Sequence, residues 1–263
     1  MNDKKSKTIS IGFIGGGRIT GIFLHAWQKD NALPESIVIS DSNPDVLSKI
    51  KGKYPAIETT ADNKKAAGCD VVFLSLHPPA IAPVLSDVKG VLRSDALMVS
   101  LTPKWTIAKL SEALGGFAKI VRMIPNAPSI INEGYNPLVF SLAFNKKDKK
   151  DVLHFFKAFG DCPEVEEEKL EAYAILTAMG PTYFWFQLQA LRTLAGSLAL
   201  SPDEADRALY EMIKGSAKTL FKSGLSYEEV YNLIPVKPLG EDELIIRQIY
   251  ETRLTGLYAK LKG

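Results

Sequence analysis

The chain has 263 residues, room for one large domain or two modest ones. Hydrophobic residues make up 46% and charged residues 24%, which supplies enough apolar material for a sizeable core. The 32 basic and 30 acidic residues leave a net charge of +2, which argues against a nucleic-acid footprint or a strong pull to an anionic membrane.

Taken in chain order, residues 9–14 form a short Ile- and Phe-rich run that ends in glycines and reads as a buried parallel strand. Residues 18–29 follow with helical apolar spacing at Ile19, Ile22, Phe23, Ala26 and Trp27. Residues 37–40 are the next strand, and Asn43-Pro44-Asp45 then opens a helix with Asn43 as N-cap. Residues 70–76, 96–101 and 118–123 are further strands, with helical stretches between them such as 106–114. Strands alternating with helices imply a parallel sheet. The dense basic patches, 4–7 and 146–150, lack interleaved aromatics and read as solvated surface.

After about residue 165 the pattern becomes entirely helical. Helices are expected over 166–179, from Pro181 to about residue 200, from the capping box Ser201-Pro202-Asp203-Glu204 to Lys222, and over 241–261. Residues 172–191 carry no formal charge and are about long enough to cross a bilayer. Gly180-Pro181 and the glutamines 187 and 189 interrupt that segment, so a helix buried between subunits is the better account. The expected division is 1–165 and 166–263.

The two cysteines lie outside any C-x-x-C pair, and with three histidines they give no zinc pattern. No metal site is expected. Reduced cysteines and a polar N-terminus point to a cytoplasmic protein without a signal peptide. His25 and His154 fall inside helices and read as structural.

The first strand runs into Gly15-Gly16-Gly17-Arg18-Ile19-Thr20-Gly21, a slightly altered dinucleotide fingerprint. Gly15 permits the tight turn, Gly17 lets a pyrophosphate approach bare backbone, and the N–H groups of Arg18 and Ile19 point at the phosphates from a helix N-terminus. Thr20 occupies the usual third glycine position. Asp41 ends the second strand, where an acid holds the adenosine ribose and repels a 2′-phosphate, so NAD is favoured over NADP. Ser40, Ser42 and Asn43 remain as groups that can bond such a phosphate. Ser75, Leu76, His77 and Pro78 follow another strand and are expected along the same crevice, with His77 either packing beside the cofactor or acting chemically. The first half therefore reads as a Rossmann doubly wound α/β domain.

Two further segments carry a family resemblance. Arg122-Met123-Ile124-Pro125-Asn126-Ala127-Pro128 with Glu133-Gly134 resembles the R-x-x-P-N-x-P and E-G signature of pyrroline-5-carboxylate reductases. Met179-Gly180-Pro181-Thr182-Tyr183 resembles the S-G-P-A-Y segment of the same family. The resemblance implies a Rossmann domain followed by a helical dimerisation and substrate domain. It also implies reduction of a cyclic imine carboxylate to L-proline with NADH or NADPH, in a homodimer or higher homo-oligomer formed through the C-terminal helices. Leu233-Ile234-Pro235-Val236-Lys237-Pro238-Leu239-Gly240 stands where the family has a Ser-Pro-Gly-Gly-Thr-Thr loop. A related two-domain dehydrogenase acting on another imine or a hydroxy acid, or a nucleotide-binding dimer without catalysis, stays open beside that reading.

Hydride transfer asks little of side chains beyond alignment, and a protonated cyclic imine is already electrophilic. No dedicated acid is evident. Asn126 is placed to fix the nicotinamide carboxamide, or serves as a turn former between two prolines. For the substrate end, Thr177, Thr182 and Tyr183 are the candidates, with Lys237 as carboxylate partner or plain surface lysine. Thr182 opens a helix whose dipole favours an anion. The aromatic run 183–186 is expected to pack in the core or an interface.

Overall fold

The structure, a computed structural model, describes residues 9–262; the basic patch 4–7 lies outside them. The chain divides into two compact units, one running to Met179 and including the last residues from Tyr258, the other Gly180–Leu257. The division therefore falls later than the change of composition at 165. The reason is that Leu170 and Ala174 bury with Ile124 in a small cluster that Leu261 also joins.

The first unit holds a seven-stranded sheet in the order β3-β2-β1-β4-β5-β6-β8. Its strands are β1 (Ser10–Ile14), β2 (Ser36–Ser40), β3 (Glu58–Thr60), β4 (Val71–Leu74), β5 (Leu97–Ser100), β6 (Ile120–Met123) and β8 (Leu138–Phe140). All pairings are parallel except that of β8, which runs antiparallel to β6 with Arg122 opposite Val139. A second small sheet pairs β7 (Gly134–Tyr135) with β9 (Gly160–Asp161). The helices are α1 (Arg18–Lys29), α2 (Pro44–Lys53), α3 (Asn63–Ala67), α4 (Pro78–Val88), α5 (Ile107–Ala113), α6 (Lys146–Phe156) and α7 (Leu170–Tyr173).

Both faces of the central strands are buried, which explains the apolar runs of β1, β4 and β5, whereas the edge strand β3 is Glu-Thr-Thr. Val71 and Phe73 of β4 face one core cluster with Phe13, Phe23 and Trp27. Val72 and Leu74 face the other, with Ile14, Leu85 and Met98. This alternation is the two-residue period of a strand with apolar partners on both sides. The order of strands reverses between β1 and β4, the switch point at which open α/β sheets bind ligands.

The basic residues 146–150 form the first turns of α6, capped by the Asn145 side chain accepting from the Asp148 N–H. The single helix expected over 166–179 is instead a 3₁₀ turn (Glu167–Lys169), α7, and a π-helical turn (Ala174–Ala178). The Met179 N–H donates to the Ala174 carbonyl, so one extra residue is inserted before Gly180.

The second unit is built from α8 (Pro181–Ser197), α9 (Pro202–Lys222), α10 (Tyr227–Tyr231) and most of α11 (Glu243–Lys262). Capping boxes Ser201/Glu204 and Ser226/Glu229 start α9 and α10 as their sequences require. No helix among the described residues is long and apolar enough to cross a membrane. The uncharged segment 172–191 is divided by the π turn and the new start at Pro181.

Candidate cofactor cleft and active site

The glycine turn is fixed by backbone geometry on one side and left open on the other. Gly15 has φ +104°, and its N–H donates to the Ser40 carbonyl at 2.8 Å. A Cβ at Gly15 would lie 2.5 Å from the Ser75 carbonyl oxygen, so neither the dihedral nor the space admits another residue. Gly17 is the N-cap of α1 and brings no side-chain cap. A Cβ built there meets nothing within 4 Å. Helix α1 thus presents its uncapped N-terminus to open space, the arrangement that binds a pyrophosphate.

Thr20, the departure from the fingerprint, is fully buried and its Oγ1 donates to the Gly15 carbonyl at 2.6 Å. The hydroxyl ties the turn to the helix.

A cleft of about 440 Å³ opens at the carboxyl ends of the strands. Gly15, Gly17, Arg18 and Ile19 line it from the turn, Asp41 from the end of β2, and Ser75, Leu76, His77 and Pro78 from beyond β4. Ala80 of α4, with Leu101 and Pro103 from the loop after β5, completes the wall, and none of the three is marked by a sequence motif. Asp41 Oδ2 accepts from the Gly16 N–H at 2.8 Å and Oδ1 from the Asn43 N–H at 2.8 Å. The carboxylate therefore braces the turn while keeping acceptor capacity for ribose hydroxyls.

Among the groups named for a 2′-phosphate, Ser40 is fully buried and donates to Asn63 Oδ1, and Asn43 caps α2. Ser42 is exposed. The Ser75 hydroxyl oxygen is buried without a partner among the described residues, the kind of orphan a bound ligand satisfies. These features fit a dinucleotide. His77 is exposed at the N-cap of α4 with no capping bond from its side chain.

Asn126 is placed elsewhere. It is buried, its Oδ1 accepts from the Tyr135 N–H at 3.1 Å, and its Nδ2 donates to the Thr177 carbonyl at 3.4 Å. Its own N–H donates to Asn136 Oδ1. It is not among the residues lining the cleft; its amide latches the loop after β6 to the helical segment carrying Thr177. The Thr177 hydroxyl donates back to the Tyr173 carbonyl at 2.8 Å.

Thr182 and Tyr183 belong to the second unit and share a groove of about 500 Å³ with Phe186, Ile246, Ile249 and Tyr250. Burial, together with the neighbouring Tyr250 phenol, pushes the Tyr183 phenol up from its ordinary value. Lys237 does not line that groove. Its Nζ donates to the Ile234 carbonyl at 3.0 Å and sits 4.4 Å from the centre of the Tyr231 ring. No group of three metal-ligating side chains occurs among the described residues.

Sequence reasoning treated Arg122 as one letter of a motif. In the fold it is a buried cation, 1% exposed, whose Nη1 and Nη2 lie 2.8 Å from Glu167 and 2.8 Å from Glu171. Glu167 and Glu171 share one helical face by their i, i+4 spacing, but nothing local to Arg122 points to them.

Residues 10–104 match a family described as NADP oxidoreductase, coenzyme F420-dependent. The chain is similar to the pyrroline-5-carboxylate reductase of Escherichia coli, 26% identical over 215 residues, 81% of this chain and 80% of that protein. Its fold resembles that of a pyrroline-5-carboxylate reductase from Coxiella burnetii, with a TM-score of 0.70, 27% identity, and 97% and 95% of the two chains covered. A pyrroline carboxylate reductase from Plasmodium falciparum, solved with NADP bound, superposes with a TM-score of 0.77 at 23% identity, over 97% and 98% of the chains.

Proposed function

We propose that this chain, a relative of the pyrroline-5-carboxylate reductases, is an NAD(P)H-dependent oxidoreductase that reduces the C=N bond of a small cyclic imine carboxylate. The observation that carries the reading is the cleft at the switch point, where the open backbone at Gly17, the brace of Asp41 and the orphaned Ser75 hydroxyl converge. A bound reduced nicotinamide supplies the hydride that goes to the imine carbon. The protein's task is to bind, orient and exclude water. Gly15, Gly17, Arg18 and Ile19 hold the diphosphate, Asp41 the adenosine ribose, and Ser75, Leu76, His77 and Pro78 the remaining wall. The proton that becomes the amine N–H is already on the iminium nitrogen, which suits a chain without a paired acid and base.

Asp41 favours NADH over NADPH, since a carboxylate at that position repels a 2′-phosphate. Mixing the purified protein with pyrroline-5-carboxylate and each coenzyme, and following absorbance at the nicotinamide band, tests both points. Oxidation of NADH with a higher kcat/KM than NADPH is expected; turnover of neither coenzyme removes the proposed activity. The apolar stretch at Ile234, Val236 and Leu239 favours a second reading in which the substrate is another imine or a hydroxy acid, and a panel of such acids in the same assay separates the two.

On this reading the segment before residue 166 binds the coenzyme in a cytoplasmic enzyme, and residues 166–263 serve substrate binding and dimerisation. Thr182 and Tyr183, which share the groove of the second unit, are the residues proposed for the substrate end. Phe184, Trp185 and Phe186 are 56%, 54% and 68% exposed on α8, and Leu244, Ile245 and Ile249 are exposed on α11. Apolar surface of that extent marks an association face, and a second copy is its occupant. Sedimentation equilibrium is expected to give at least a dimer, and Trp185→Asp to shift it towards monomer. A wild-type protein that sediments as a monomer at micromolar concentration refutes this.

A further inference from the structure

We propose that Arg122, with Glu167 and Glu171, is a positioning residue for the nicotinamide end of the cleft. This inference rests on the coenzyme reading above. Asp41 marks the adenosine side of the switch point, so the coenzyme's reactive end lies toward β4 and β5. That side is walled by Leu101 and Pro103 of the loop between β5 and α5.

The two carboxylates hold this loop by its backbone. Glu171 Oε1 accepts from the Lys104 N–H at 3.2 Å, and Glu167 Oε1 accepts from the Ile107 N–H at 2.8 Å. The same two oxygens accept from the Arg122 guanidinium, each at 2.8 Å. Lys104 itself sits at φ +72°, a left-handed conformation that a non-glycine residue adopts at a cost and that the Glu171 contact maintains. Thr102 adds a further tie, its Oγ1 donating to the Leu76 carbonyl in the opposite part of the wall. On its far side the network anchors the segment that continues to Thr177, whose carbonyl takes the Asn126 amide.

A buried ion pair contributes little net stability, because desolvation offsets its attraction. What this one fixes is geometry. One planar cation bridges two carboxylates, and each carboxylate pins one end of the loop. Lysine, a point charge with a single nitrogen, cannot span both acceptors in the same way.

The test compares the full-length wild type with Arg122→Lys, Glu171→Gln and Glu167→Ala. Glu167 is partly exposed and Glu171 still pairs the guanidinium in its absence, so Glu167→Ala is expected to fold even where Arg122→Lys does not. Four quantities are read: fluorescence polarisation of bound NADH and NADPH, the coenzyme dissociation constant, kcat with pyrroline-5-carboxylate, and the deuterium isotope effect on kcat from coenzyme labelled at the transferred hydrogen. Displacing a reacting group by about 1 Å costs up to about 100-fold, so kcat is expected to fall about tenfold or more, with the isotope effect raised. Polarisation of the bound nicotinamide falls, while the coenzyme dissociation constant changes less than kcat because the diphosphate turn is untouched.

Variants that melt earlier yet keep wild-type polarisation and wild-type kcat overturn the proposal and leave the network purely structural. If wild type binds a coenzyme but turns nothing over, the reductase activity fails while polarisation still decides on the network. If wild type binds no coenzyme, both readings fall.

Discussion

Gly17→Val is expected to weaken coenzyme binding by about 100-fold or more while leaving the fold nearly as stable as before. Each charge-assisted hydrogen bond from a backbone N–H to a phosphate contributes about 1.5–3 kcal/mol, and a side chain over the turn displaces the diphosphate from at least two of them. The fold tolerates the change because a Cβ at Gly17 meets nothing within 4 Å, and the residue's φ of −70° and ψ of −164° suit any L-residue. Valine is a poorer N-cap than glycine, but it also reduces the freedom of the unfolded chain, and each effect is about 1 kcal/mol or less. Calorimetric titration with NADH and NADPH beside a thermal melt reads both quantities. Gly15→Ala is the control, since its φ of +104° and the 2.5 Å approach to the Ser75 carbonyl make it a stability mutant. A Gly17→Val protein that binds coenzyme like wild type would show that the diphosphate lies elsewhere.

Phe73→Ala is expected to remove about 3–5 kcal/mol of stability, a large share of the roughly 5–15 kcal/mol by which domains are held folded. Phe73 is fully buried at the centre of the sheet. Its ring stacks on Phe13 at 4.6 Å between centroids and meets Phe23 at 5.8 Å and Trp27 at 6.2 Å, both edge-on. No neighbour can collapse into the space without tilting another ring of the group, so the cavity stays. Urea titration should show a lower midpoint with an unchanged slope. A loss below about 1 kcal/mol would mean that the aromatic cluster repacks freely.

The residues lining the cleft were legible because their information is local. The turn after β1, the acid after β2 and the Ser75–Pro78 stretch after β4 each sit within a few residues of a strand end, and a strand end in this architecture is a place in the cleft. Asn126 was legible as part of a motif, but its hydrogen-bond partners were not. Whether its amide faces a ligand or the Thr177 carbonyl depends on a residue 51 positions away. Arg122 is the same case, since its partners lie 45 and 49 positions along the chain. An arginine in an apolar strand gives no hint of which acids will meet it.

Strand β8 went unread because it is three residues long and pairs antiparallel at the edge of a sheet whose other connections are crossovers. The π turn at Ala174–Ala178 has no compositional signal at all. Nothing in the sequence indicates that the Lys237 ammonium closes onto the Ile234 carbonyl and the Tyr231 ring.

The Thr20 hydroxyl carries a lesson about how such chains are found. Where a text pattern asks for a third glycine, this protein has a buried threonine whose oxygen grips the carbonyl of Gly15 from inside the helix. Searches that count glycines pass over sequences of this kind. A rule phrased as a small residue, or one able to bond that carbonyl, would retrieve them and would admit serine while rejecting valine of similar bulk.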